Sequence, residues 1–93
     1  MTFDADVVIV GGGPAGMATA LFLIDHGVDV LLLERGEKPH ADPRAATYHP
    51  PTLEMLEKSG VTAELHQRGL IARHWQLRDR RAGLIAEFDL SVL

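Results

Sequence analysis

The sequence has no cysteine, so it can form no disulfide framework, no thiolate zinc site and no thiol nucleophile. It also lacks a basic excess. Nine Lys+Arg stand against thirteen Asp+Glu, a formal charge of −4, which argues against phosphate-backbone binding as the main business and leaves no nucleic-acid partner expected. No apolar run approaches the ~20 residues needed to span a bilayer, and no lysine-rich start precedes the first apolar stretch, so neither a membrane span nor a signal peptide is expected. None of the five histidines forms an i,i+4 pair, and no metal is expected. There is no Ser-His-Asp set with a nucleophile elbow, no internal repeat and no low-complexity tract. These absences leave a cytoplasmic chain of ordinary globular composition, 46% hydrophobic and 24% charged. With 93 residues it can build only a modest core. The acidity is confined to the first half. Residues 1–46 carry seven acids and three bases, whereas residues 47–93 carry six of each.

Three blocks follow from periodicity. In residues 6–34, Val7-Val8-Ile9-Val10 is a continuous β-branched run, expected of a strand covered on both faces. Pro14 to His26 reads as a helix, with Pro14 suited to a first-turn position and Gly27 to the left-handed position after the end. Its apolar residues (Ala15, Met17, Ala18, Leu21, Phe22, Ile24) cover most of the circumference, so the helix is expected to be buried. Val28 to Glu34 is a second strand. Strand, helix and strand in under thirty residues form a βαβ unit with parallel strands. Residues 35–50 are a polar connector punctuated by prolines. Pro51 to Ser59 is expected to be helical, with Glu54 and Lys58 paired at i,i+4, and Thr62 to Arg68 adds a short helix. In the last block Trp75 and Leu77 share one face, and Leu84, Ala86, Phe88 and Leu90 share another. The turn-like interval 79–83 between them makes this an antiparallel hairpin, with residues 89–93 still reading as strand. The arginines 68, 73, 78, 80 and 81 around it are expected to be a solvated face.

The informative segment is Gly11-Gly12-Gly13-Pro14-Ala15-Gly16. It directly follows a strand and opens a helix, the context that gives a G-x-G-x-x-G its meaning. Gly11 permits the tight turn, Gly13 lets a pyrophosphate approach the backbone, and Gly16 lets the helix pack closely. The helix then aims N–H groups and its positive dipole end at phosphates. Glu34 ends the second strand about twenty residues on, where a carboxylate accepts ribose hydroxyls and repels a 2′-phosphate.

With these residues in place, Asp6 to Gly16 followed by Ala20, Leu23, Gly27, Val30 and Glu34 resembles the FAD-binding fingerprint of the glutathione-reductase-type flavoproteins. Residues 43–56 (Pro43-Arg44-Ala45-Ala46-Thr47-Tyr48-His49-Pro50-Pro51-Thr52-Leu53-Glu54-Met55-Leu56), then Ser59-Gly60-Val61, are similar to a segment of the class A FAD-dependent aromatic-ring monooxygenases, the para-hydroxybenzoate and phenol hydroxylase relatives.

The resemblance implies an α/β fold. A Rossmann-like FAD-binding βαβ unit is followed by helices and an antiparallel β-hairpin, as an incomplete domain. Residues 1–69 would be the N-terminal part of the FAD-binding domain, and 70–93 the hairpin leading into a substrate domain that is absent. Gly11, Gly13, Pro14, Ala15 and Gly16 would hold the FAD pyrophosphate and Glu34 the adenosine ribose. Arg35 would lie by the adenine, and Arg44 would contact the pyrophosphate as a bidentate guanidinium. Ala45, Ala46 and Thr47 would line the flavin's neighbourhood, with Tyr48 and His49 as candidate substrate contacts. In the family NAD(P)H reduces the flavin and O2 then hydroxylates a small aromatic substrate. The family's later motifs are missing here, so the chain is expected to be inactive alone and to bind FAD weakly or not at all in isolation. Its expected partners are the remainder of the enzyme or a homo-oligomer. Two alternatives stand beside this. One is a non-hydroxylating FAD oxidoreductase of the same superfamily, the other a truncated nucleotide-binding remnant acting with a partner chain.

Overall fold

A computed structural model of the chain describes residues 2–39, 41, 44, 45 and 47–93. It divides into two compact units, Met1–Thr47 and Tyr48–Leu93.

The first unit is the βαβ element. Strand β1 (Val7–Val10) leads through the glycines into helix α1 (Pro14–Asp25), and strand β2 (Val30–Leu33) returns parallel to β1. The register places Val7 opposite Val30 and Val10 opposite Leu33. Its lower end is fixed twice, because the Asp29 carbonyl accepts the Asp6 amide at 2.9 Å while the Asp29 amide donates to Asp6 Oδ2 at 3.1 Å. At the upper end Gly11 N–H donates to the Leu33 carbonyl at 2.7 Å. Pro14 occupies the start of α1, and the helix ends at His26 with Gly27 at φ +75°. In that region glycine avoids the Cβ penalty. The helix end is further closed by His26 Nδ1, 2.7 Å from the Phe22 carbonyl oxygen.

Two expectations need correction. α1 covers a single face of the strand pair, so Val7 and Ile9 are half-buried, whereas Val8 and Val10 are 54% and 84% exposed. The apolar strands are therefore covered on one face, not two, by the described residues. The helix is not buried either, since Ala20 is its one buried residue and Met17 and Ile24 stand more than half exposed. A helix that is apolar nearly all round can bury only the stripe that meets the sheet.

In the second unit, α2 spans Pro50–Met55 and α3 spans Val61–Arg68. Lys58 lies in the turn beyond α2, so the Glu54–Lys58 spacing is not the helical pair expected. Gly60, at φ +80°, makes the corner into α3. The hydroxyl of Thr62, the buried polar residue of α3, donates to the Leu53 carbonyl, one of the terminal carbonyls of α2.

The hairpin pairs β3 (His74–Asp79) with β4 (Gly83–Asp89). Asp79 Oδ1 accepts the amides of Arg81 and Ala82, each at 2.8 Å, and Gly83 closes the turn at φ +78°. Those amides, Ala82 first, hold the Asp79 carboxyl below its usual range. A β-bulge between Leu77 and Arg78 shifts the register by one residue. As a result Trp75 faces Phe88 and Leu77 faces Ala86. Trp75, Leu77, Ala86 and Phe88 thus share one face of the hairpin, with the Trp75 and Phe88 rings 5.5 Å apart and tilted by 48°, whereas Leu84 is paired with Arg78 beyond the bulge and leaves the set expected for β4. The other face carries polar pairs, where Gln76 donates to Glu87 and His74 stands 3.7 Å from it. Residues 90–93 are not strand as expected. Ser91 N–H turns back onto Asp89 Oδ1 at 2.8 Å, and Leu93 N–H donates to the Leu90 carbonyl at 3.1 Å. The Ser91 hydroxyl and amide also lower the Asp89 carboxyl below its usual range.

Candidate functional site

The candidate site is the turn between β1 and α1. Parallel pairing brings β1 and β2 to the same end, so the chain leaves β1 into Gly11 beside the point where β2 delivers Glu34. Gly11 has φ +109°, a conformation that disfavours every L side chain, and it turns the backbone out of the sheet. Gly16 serves close approach. A Cβ there would lie 2.0 Å from the Gly11 carbonyl oxygen and 3.4 Å from Ile9 Cγ2, so only glycine lets α1 sit this near the turn.

Gly13 differs from both. It caps α1 with extended backbone (φ −74°, ψ −177°) and no side-chain cap, and a Cβ added there would meet nothing within 4 Å. Space therefore opens in front of the helix start, where Ala15 and Gly16 N–H lie in the first turn, whose amides have no intrahelical acceptor. Pro14, with no N–H to leave unsatisfied, fits the first position. A backbone cradle of this kind, with clear space before it and a helix dipole behind it, fits a diphosphate on physical grounds.

Glu34 is brought into direct contact with the same turn. Its Oε2 accepts the Gly12 amide at 2.6 Å, and its Oε1 accepts the Gly36 amide at 3.2 Å. The carboxylate is thus held beside the turn that opens α1. Gly12 is the site residue that sequence reasoning missed. It lies between the motif glycines, and its one signal was the unbroken run of three.

The remaining expected residues lie in the connector and at its far end. Arg35 follows Glu34 and is exposed, and Arg44 is an exposed connector residue. Ala45 and Thr47 are exposed, and Ala46 lies outside the described residues. Tyr48 is 57% exposed, and His49 caps α2. Of the other histidines, His40 is outside the described residues, while His26 and His74 make the contacts given above. Among the described residues there is no group of three potential metal ligands, and no helix is long and apolar enough to cross a membrane. A shallow concavity lined by Ser59, Gly60, Val61, Glu64, Leu65 and Arg68 belongs to the second unit and contains none of the motif residues.

The FAD binding domain family matches residues 4–91. The chain is 39% identical to para-nitrophenol 4-monooxygenase of Pseudomonas sp. strain WBC-3 over 87 residues, which is 94% of this chain and 22% of that protein. It is 38% identical to 6-hydroxy-3-succinoylpyridine 3-monooxygenase of Pseudomonas putida strain S16 over 93 residues, 100% of this chain and 24% of that one. The crystal structure of p-nitrophenol 4-monooxygenase from Pseudomonas putida DLL-E4 superposes with a TM-score of 0.80 at 38% identity, covering 88% of this chain and 21% of that chain. The chain therefore spans about a fifth to a quarter of the length of these three relatives.

Proposed function

The chain belongs to the FAD binding domain family, and from that premise we propose that it supplies the adenosine-diphosphate half of the FAD site of an aromatic-ring monooxygenase. The observation that carries this is the juxtaposition at one sheet end of an unobstructed Gly13 cradle and the amide-anchored carboxylate of Glu34. Ala15 and Gly16 N–H in the first turn of α1 bind the pyrophosphate, and Glu34 accepts the ribose hydroxyls. Gly11 and Pro14 shape the turn, Arg35 lies by the adenine, and Arg44 contacts the pyrophosphate. Bound FAD supplies the redox and oxygen chemistry, with NAD(P)H as reductant. This chain's own residues hold and orient its non-reacting half.

The relatives named above are monooxygenases of nitrophenol and of a substituted pyridine, which supports a small aromatic substrate for the enzyme to which this segment corresponds. The division into 1–69 and 70–93, a cytoplasmic location, and completion by the remainder of a longer enzyme or by a homo-oligomer belong to the same proposal.

The test is amide NMR of the 93-residue chain titrated with ADP and with FAD to millimolar concentration. That concentration detects dissociation constants corresponding to about 4 kcal/mol. Saturable shifts confined to residues 11–17 and 34–36 are expected, and Gly13→Val abolishes them. Absence of shifts with ADP, the half of the cofactor this chain is proposed to hold, or shifts centred elsewhere, overturns the proposal.

A further inference from the structure

We propose that Gly12, the glycine outside the motif positions, is a positioning residue that holds Glu34 for the ribose; this rests on the function proposed above. The carboxylate is gripped from two sides by amides that are distant in sequence, Gly12 at 2.6 Å and Gly36 at 3.2 Å. Both contacts fall on an exposed side chain, which without anchors would sample many rotamers. Charge-assisted bonds from backbone amides are among the stronger hydrogen bonds available, and two of them fix the direction in which the carboxylate faces. An ionised carboxylate only accepts, with about four lone-pair positions. Its orientation therefore decides whether two adjacent ribose hydroxyls can both donate to it.

The reason for glycine at position 12 is Glu34 rather than the backbone. Gly12 is not among the glycines with positive φ, so its conformation is open to any L residue. A Cβ there would stand 3.2 Å from Glu34 Cβ, 3.2 Å from Oε2 and 3.4 Å from Cγ. A single methyl group needs a shift of a few tenths of an ångström. A branched side chain puts further carbons where the carboxylate lies. Gly36 repeats the pattern more loosely, its Cβ position 3.4 Å from Oε1.

The experiment compares ADP with 2′-deoxy-ADP on the full chain as wild type, Gly12→Ala, Gly12→Val, Glu34→Gln and the Gly12→Val/Glu34→Gln double variant. The wild type is expected to prefer ADP by about tenfold, the scale of a hydrogen bond to a charged group. Gly12→Ala keeps the preference, Gly12→Val and Glu34→Gln each erase it, and the double variant binds ADP no more weakly than Glu34→Gln alone. Retention of the preference in Gly12→Val overturns the proposal. So does an equal loss of both ligands, which would mean that the diphosphate cradle itself was damaged. Amide shifts of the hairpin and of α1 beyond its first turn verify that each variant folds. A ligand-free measurement decides the case independently. The Gly12 and Gly36 amide resonances should follow one acidic transition in the wild type and lose it in Glu34→Gln. A Gly12 transition that survives Glu34→Gln refutes the anchoring. If the wild type does not distinguish the two nucleotides, the ribose assignment of the proposed function fails, and the positioning role stands or falls on the amide transition.

Discussion

Substituting Gly16 by alanine tests the central geometry of the turn, because two opposing effects can be weighed. On an isolated helix, Gly→Ala in the interior of a helix is worth about 1 kcal/mol in favour of alanine. Here the added Cβ would stand 2.0 Å from the Gly11 carbonyl oxygen and 3.1 Å from Gly11 C, whereas ordinary contact begins near 3.4 Å. Neither partner is a flexible side-chain end. Both are backbone of a turn held on its other side by the 2.7 Å bond from Gly11 N–H to the Leu33 carbonyl. The helix must retreat from the sheet by more than an ångström, loosening the stripe that contains Ala20. Overpacking of this kind costs about 1–3 kcal/mol, and a backbone clash belongs at or beyond the upper end. Against the propensity gain, a net loss of about 2 kcal/mol results. For a chain of this size that lowers the melting temperature by roughly 8–16 °C. Thermal unfolding followed by far-ultraviolet circular dichroism measures it, with Gly13→Ala as the control. At Gly13 a Cβ meets nothing within 4 Å, so the control should stay within about 1 kcal/mol of wild type while its nucleotide-dependent amide shifts weaken. A Gly16→Ala protein that melts at or above the wild-type temperature refutes the close-approach reasoning.

Further expectations follow from other positions. Gly11→Ala, at φ +109° with open space around it, should lose about 1–2 kcal/mol from backbone strain alone, seen as a lower melting temperature without any steric contact. Thr62→Val keeps the volume but removes the donor to the Leu53 carbonyl. It should cost about 1 kcal/mol, with faster amide exchange in α2 and α3. Phe88→Ala removes the ring 5.5 Å from Trp75 and should lose about 1 kcal/mol or more of hairpin stability, read from the Trp75 indole resonance. Because the Asp79 carboxyl is held below its ordinary value of 3.8 by turn amides, its contribution is fully present above that value and is lost as pH falls through the lowered folded value. Turn amide shifts of Arg81 and Ala82 should therefore change only below about pH 4, and Asp79→Ala should remove that change.

What could be read from consecutive residues was local. Strand β1, the glycine turn, α1 with Pro14 at its start and Gly27 after its end, and the hairpin turn at 79–83 are each specified by residues that touch their own neighbours in sequence. Propensity and turn chemistry act there without help from the rest of the chain. Side-chain sharing across a register was not local. The bulge at Leu77/Arg78 put Trp75, Leu77, Ala86 and Phe88 on one hairpin face, and Asp89 turned the last residues out of the strand. The exposed face of the β1–β2 pair was equally illegible, because an apolar run records that a strand can be covered, not what covers it.

The sequence by itself determined the βαβ unit, the positions of Gly11, Gly13 and Gly16, and the arrival of an acidic residue at the end of β2. The tertiary structure alone decided that this acid is held by Gly12. The Gly12–Glu34 bond joins residues 22 positions apart, and it forms because parallel pairing with Val10 opposite Leu33 sets the end of one strand beside the end of the other. A spacing in sequence brings two residues into the same neighbourhood. Only the register and the curl of the turn fix a distance of 2.6 Å and the direction in which the carboxylate faces.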